Sequence, residues 1–193
     1  MMVEALMEAV AMDFLADAAS RVPVDQAVVE IGTYRAANLV SMALGSKRGN
    51  KAMVHGVDPY GSGDIYRNRP HMLQRYTNAD LEIARDHIKA NSVVRLTRLH
   101  VATSRAASEA WSGPKVGLLV IDGEHRLDPV LDDFSAWKRH LAVDAVIAFD
   151  DYEPSKVGRE VIVAVDRLAD AGEITPIELI GSRLAVTRLK AVN

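Results

Sequence analysis

The chain has 193 residues, enough for one substantial core and too short for two comfortable domains. It is 49% hydrophobic and 25% charged, an ordinary globular balance, and a net charge of -3 argues against nucleic acid as the partner, since phosphate binding wants a basic face. Without cysteine it has no disulfide, thiolate ligand or thiol nucleophile.

The N-terminal stretch is apolar, but it lacks a basic leader and Glu4, Glu8, Asp13 and Asp17 interrupt it. Neither a signal peptide nor a membrane span is expected, and the cytoplasm is the default location. Residues 4–19 read as a helix ended by Arg21-Val22-Pro23, so residues 1–24 stand apart as a lid or homodimer element before a domain of 25–193. An apolar strand over 27–31 closes at Gly32, and a helix over 36–44 follows. A second strand, 52–57, ends in acid at Asp58. Residues 59–76 are rich in Gly, Pro, Tyr, Arg and His without a clear period and read as a long loop suited to substrate choice. Asn78 caps a helix over 79–89, a third strand runs over 93–101, and a helix over 104–111 follows. The last helix covers 156–171, and 174–180 with 183–189 form a hairpin around a two-residue Gly181-Ser182 turn. This β-then-α alternation predicts a single α/β domain with a mostly parallel sheet.

The densest stretch lies between. Two apolar strands, 116–121 and 145–149, run straight into acid: Asp122-Gly123-Glu124-His125 after one, Asp150-Asp151-Tyr152 after the other. Leu127, Val130, Leu131, Phe134, Trp137 and Leu141 recur between them at helical spacing. In such a βαβ unit the strands are parallel and their carboxyl ends share an edge, so Asp122, Asp150 and Asp151 converge. A lone aspartate at a strand end is commonly a helix cap; three together repel unless a cation or protons hold them. The first βα turn, Glu30-Ile31-Gly32-Thr33-Tyr34-Arg35, has one glycine where G-x-G-x-x-G would cradle a pyrophosphate. Asp58 stands where a ribose-binding acid sits in doubly wound folds, so an adenosine ligand without pyrophosphate is expected.

Glu30-x-Gly32, Asp58 and the terminal antiparallel hairpin together resemble a class I S-adenosylmethionine-dependent methyltransferase. Asp122 with His125, followed by Asp150-Asp151, is similar to the metal-dependent O-methyltransferase branch and its small bacterial sugar O-methyltransferases. The resemblance implies a Rossmann-like fold whose mostly parallel sheet has seven strands. It places Glu30, Gly32, Thr33 and Asn38 at the methionine part of the cofactor and Asp58 at its ribose. Ser104, with Thr103 as a substitute, falls near the adenine. Asp122, Asp150 and Asp151 would hold Mg²⁺, Asp122 also bordering the cofactor, and His125 would be the base. Arg35-Ala36 departs from the small residues usual in that turn, and Asp151 from the commoner Asn. The expected activity is methylation of a hydroxyl on a sugar, glycoside or oligosaccharide, with mannosides faintly favoured. A catechol-like phenol is the first alternative, which the 5% aromatic content disfavours, and NAD-dependent oxidoreduction the second.

Overall fold

The computed structural model describes residues 6–61, 78–155 and 158–190. In chain order its elements are α1 (Ala9–Arg21), β1 (Ala27–Ile31), α2 (Ala37–Arg48), β2 (Met53–Asp58), α3 (Asn78–Ala90), β3 (Thr97–Val101) and α4 (Ser104–Glu109). Then follow β4 (Val116–Ile121), α5 (Leu127–Lys138), β5 (Leu141–Phe149), α6 (Arg159–Asp170), β6 (Glu178–Ile180) and β7 (Leu184–Arg188). The sheet has seven strands in the order β3-β2-β1-β4-β5-β7-β6. Strands β1 to β5 are parallel, and β7 runs antiparallel between β5 and β6. This is the Rossmann-like class I methyltransferase fold. Because β1, β2, β4 and β5 point the same way, Gly32, Asp58, Asp122 and Asp150 come to one edge.

Alternation along the strands builds two cores. Val28, Leu118 and Val120 face one side with Leu15, Leu39 and Met42. Val29, Leu119 and Ile121 face the other, with Phe134, Trp137 and Ile147. Phe134, Trp137 and Phe149 are fully buried, each stabilising the fold by roughly 1.5–3 kcal/mol or more. The apolar stripe of α1, which suggested a lid or oligomer element, is covered within the chain: Ala11, Leu15, Ala18 and Ala19 join α2 in the first core.

Four local expectations need correction. The third strand is shorter than expected, because Val94–Leu96 form a 3₁₀ turn in which the Val93 carbonyl accepts from Leu96 N–H and the Thr97 hydroxyl. Leu141 belongs to β5 rather than to the preceding helix. The chain turns at Arg139-His140, with His140 N–H on the Trp137 carbonyl, and Leu141 pairs with Val116. In the hairpin, Pro176 cannot donate to a ladder, so β6 is confined to Glu178–Ile180 and only an isolated Ile174–Leu189 bridge precedes it. Ile180 pairs with Leu184, so the hairpin turn includes Arg183 as well as Gly181 and Ser182. The expected recognition loop lies, after residue 61, outside the described residues.

Candidate active site

The first βα turn is built from a glycine and an acid. Gly32 has φ +86°, its N–H donates to the Val57 carbonyl at 2.9 Å, and a Cβ there would overlap the Asp122 carbonyl oxygen. Only glycine allows this conformation at so close a backbone approach. Tyr34 and Ala36 then also take left-handed φ, 46° and 65°. Asp58 clamps this path, accepting Tyr34 N–H at 2.8 Å on one oxygen and Tyr60 N–H at 2.7 Å on the other. Burial pushes the Asp58 carboxyl above its usual range, and the backbone N–H groups pull it back. Arg35, unexpected in such a turn, swings away to Asp80 of α3 at 2.7 Å.

Glu30, Thr33 and Asn38 surround this turn with polar atoms that lack partners. Glu30 Oε2, Thr33 Oγ1 and Asn38 Oδ1 are buried without a hydrogen bond among the described residues. Such orphans are uncommon in a native interior. Asn38 Nδ2 donates to Asp122 Oδ2 at 3.3 Å, tying α2 to the acid after β4. Burial pushes the Glu30 carboxyl well up, and the Asp58 and Asp150 charges add to this. A shallow pocket opens here, lined by Gly32, Thr33, Tyr34, Asn38 and Asp122.

The acids after β4 and β5 do converge. His125 Nδ1 lies 3.0 Å from Asp151 Oδ2, and its Nε2 lies 3.9 Å from Asp122 Oδ1. One donor atom from each of Asp122, His125 and Asp151 falls within 4.8 Å of the others. Asp150 is adjacent but otherwise engaged: Arg183 Nη2 reaches its Oδ2 at 2.9 Å and Nε its Oδ1 at 3.2 Å. Arg183 also pairs with Asp151, which sits at φ +58°. Burial, with the Asp150, Glu30 and Asp151 charges, holds the Asp122 carboxyl well above the usual range. Asp151 goes the other way: hydrogen bonds and charge from His125 and Arg183 outweigh its burial. Sequence reasoning missed Arg183, which lies 33 residues beyond Asp150 in the hairpin turn.

On the far side of the Gly32 turn, Thr103 caps α4, its hydroxyl accepting Ala106 N–H at 3.1 Å. Ser104 Oγ accepts from Trp137 Nε1 at 3.1 Å. The Ser104 hydroxyl is therefore held by α5.

A cleft at the carboxyl edge of this sheet, with a glycine turn on one strand and acids on three others, defines the methyltransferase class. The family model described as "Methyltransferase domain" matches residues 29–152, and the chain belongs to that family. A relative described as an uncharacterized protein of Acanthamoeba polyphaga mimivirus is 26% identical over 162 residues, spanning 81% of this chain and 67% of its own length. Among solved structures, cofactor-bound Rv0187 from MTB superposes with a TM-score of 0.73 at 14% identity, covering 97% of this chain and 83% of that one. The SAH-bound methyltransferase PaMTH1 of Podospora anserina gives 0.73 at 13%, covering 96% and 80%. CalS11, the TDP-rhamnose 3'-O-methyltransferase of calicheamicin biosynthesis, gives 0.61 at 20%, covering 92% and 76%. Among the described residues no helix is long and apolar enough to cross a membrane.

Proposed function

We propose that the chain transfers a methyl group from S-adenosylmethionine to a hydroxyl oxygen of a sugar or glycoside, with a divalent cation such as Mg²⁺ at the acids and His125 as general base. The observation that carries this is the placement of Asp122, His125 and Asp151 within 4.8 Å of one another, beside the unpartnered atoms of Glu30, Thr33 and Asn38. The orphaned Thr33 hydroxyl and Asn38 carbonyl offer partners to the amino-acid end of the methyl donor, and the Asp58 carboxylate to its ribose. SAH bound to PaMTH1 and the sugar acceptor in the name of CalS11 support the donor and acceptor classes.

The donor set fits a hard cation: Asp122 and Asp151 supply carboxylate oxygens, while His125 stands at the rim with both ring nitrogens committed to the proton-transfer role below. Asp150, the third expected ligand, joins only where Arg183 gives way. A cation held by these residues would acidify and orient an acceptor hydroxyl, which is otherwise a poor nucleophile at neutral pH. The Asp151 carboxylate accepts the Nδ1 proton of His125, fixing the ring so that Nε2 faces Asp122 and takes the acceptor's proton. Asn38 and Gly32 keep Asp122 at the seam between the donor and acceptor sides.

Titrating S-adenosylhomocysteine and NAD separately tests the donor, and labelled methyl transfer to mannosides and to catechol, with Mg²⁺ or EDTA, tests the rest. The expected result is micromolar S-adenosylhomocysteine binding, about -8 kcal/mol, with NAD silent. Transfer to a mannoside should fall at least about 100-fold in EDTA and in His125→Ala. NAD binding with a silent methyl-donor product overturns the donor; catechol methylation alone overturns the acceptor; full activity in EDTA overturns the cation.

A further inference from the structure

Arg183 stands in the turn between β6 and β7, where Ile180 pairs with Leu184, and only 20% of its side chain is exposed. Its guanidinium forks onto Asp150, Nη2 to Oδ2 at 2.9 Å and Nε to Oδ1 at 3.2 Å. The same Nη2 also pairs with Asp151 Oδ1. The two carboxylates are only 2% and 6% exposed, so one cation and two anions form a nearly dry triad. Asp151 spends its other oxygen, Oδ2, on His125.

The backbone fixes this guanidinium from both sides. The Arg183 carbonyl accepts Tyr152 N–H at 2.8 Å, which ties the turn to the chain that carries the acids. One residue earlier, Ser182 N–H donates to Glu8 Oε2 at 2.9 Å, and a Cβ on Gly181 would overlap that same oxygen. The turn is therefore clamped between the start of α1 and the loop after β5, and Arg183 is built into the acid cluster.

A guanidinium and a hard divalent cation seek the same carboxylate oxygens. In so dry a site two positive groups in contact with one carboxylate pair repel strongly, so they cannot share Asp150 and Asp151. We infer that Arg183 is an internal competitor for the divalent cation: it neutralises Asp150 and Asp151 in the cation-free protein and must release them before all three carboxylates can serve as ligands. The apparent cation affinity falls with the fraction of molecules in which Arg183 has let go. This rests on the divalent cation proposed above. The alternative role, a salt bridge that sets the acids in place for the cation, predicts the opposite sign, since removing Arg183 would then splay Asp150 and Asp151 and weaken binding.

The test is a titration with MnCl₂ at pH 7.5, without methyl donor or acceptor, following free Mn²⁺ by electron paramagnetic resonance. Arg183→Gln, which removes the charge but keeps an amide donor, should bind Mn²⁺ at least about tenfold more tightly than the unaltered protein. Arg183→Lys, which keeps the charge without the fork, should fall between the two. Mn²⁺ should also raise the urea midpoint of Arg183→Gln by more than that of the unaltered protein. Equal or weaker Mn²⁺ binding in Arg183→Gln overturns the inference, as does unchanged binding in Arg183→Lys where Arg183→Gln does not fold. No Mn²⁺ binding by any of the three proteins overturns the cation itself, a result distinct from either.

Discussion

A Cβ at Gly32 would overlap the Asp122 carbonyl oxygen, and φ of +86° already disfavours any L side chain. Gly32→Ala therefore meets both strain and a backbone clash, and should cost on the order of 2–4 kcal/mol, read as a lower urea midpoint. A stability within about 0.5 kcal/mol of the unaltered protein would mean that the β1 and β4 turns are not locked together as described. At this scale the sequence was readable where one residue type has one geometric meaning. Glycine at a strand end must turn, and acids after parallel strands must gather at one edge. Arg183 was not readable, because which charge answers Asp150 depends on how the hairpin folds back over β5.

Between elements, the closest approach is that of α1 to α2. Cβ atoms built on Gly45 and Gly49 would overlap the carbonyl oxygens of Ala16 and Ser20, so two glycines of α2 and its C-cap let the helices touch backbone to backbone. Gly45→Ala should force them apart and cost about 1–3 kcal/mol, with the midpoint lowered and the denaturant slope unchanged. An equally stable variant would contradict that contact. The periodicity of α1 revealed its apolar face but not what covers it, since an amphipathic stripe reads the same against α2 as against another chain. The hairpin was recognisable from its two apolar runs, whereas its pairing was set by Pro176 and by a turn one residue longer than the Gly-Ser pair suggests. Glu8 ties the start of α1 to that turn by accepting from Ser182, so α1, the hairpin and Arg183 form one continuous support for Asp150 and Asp151.

Across the whole molecule, two half-buried groups oppose each other as the pH falls. His55 Nδ1 lies 2.9 Å from His100 Nε2, with Trp111 edge-on, and burial with the charges of His100 and Arg98 lowers His55 to about 4. The unfolded chain, with His55 near 6.5, takes up that proton first, so stability is lost between pH 6.5 and 4. Asp133 has the reverse sign: it is raised to about 6 from 3.8, the folded chain takes the proton first, and stability is gained as pH falls through 6. Each effect is on the order of 1–2 kcal/mol between pH 7.5 and 5, so they largely cancel. Glu30, Asp58, Asp122 and Asp150 are also raised and add to the gain, but equally in every variant that leaves them intact. Relative to the unaltered protein, the change in stability between pH 7.5 and 5 should therefore be displaced towards gain in His55→Asn and towards loss in Asp133→Asn. Urea unfolding at the two pH values measures the difference directly. Equal changes in all three proteins would show that neither group carries a shifted proton affinity in the fold. Changes that diverge in these two directions would tie opposing parts of the pH response to one imidazole on the β2–β3 side and one carboxylate on α5.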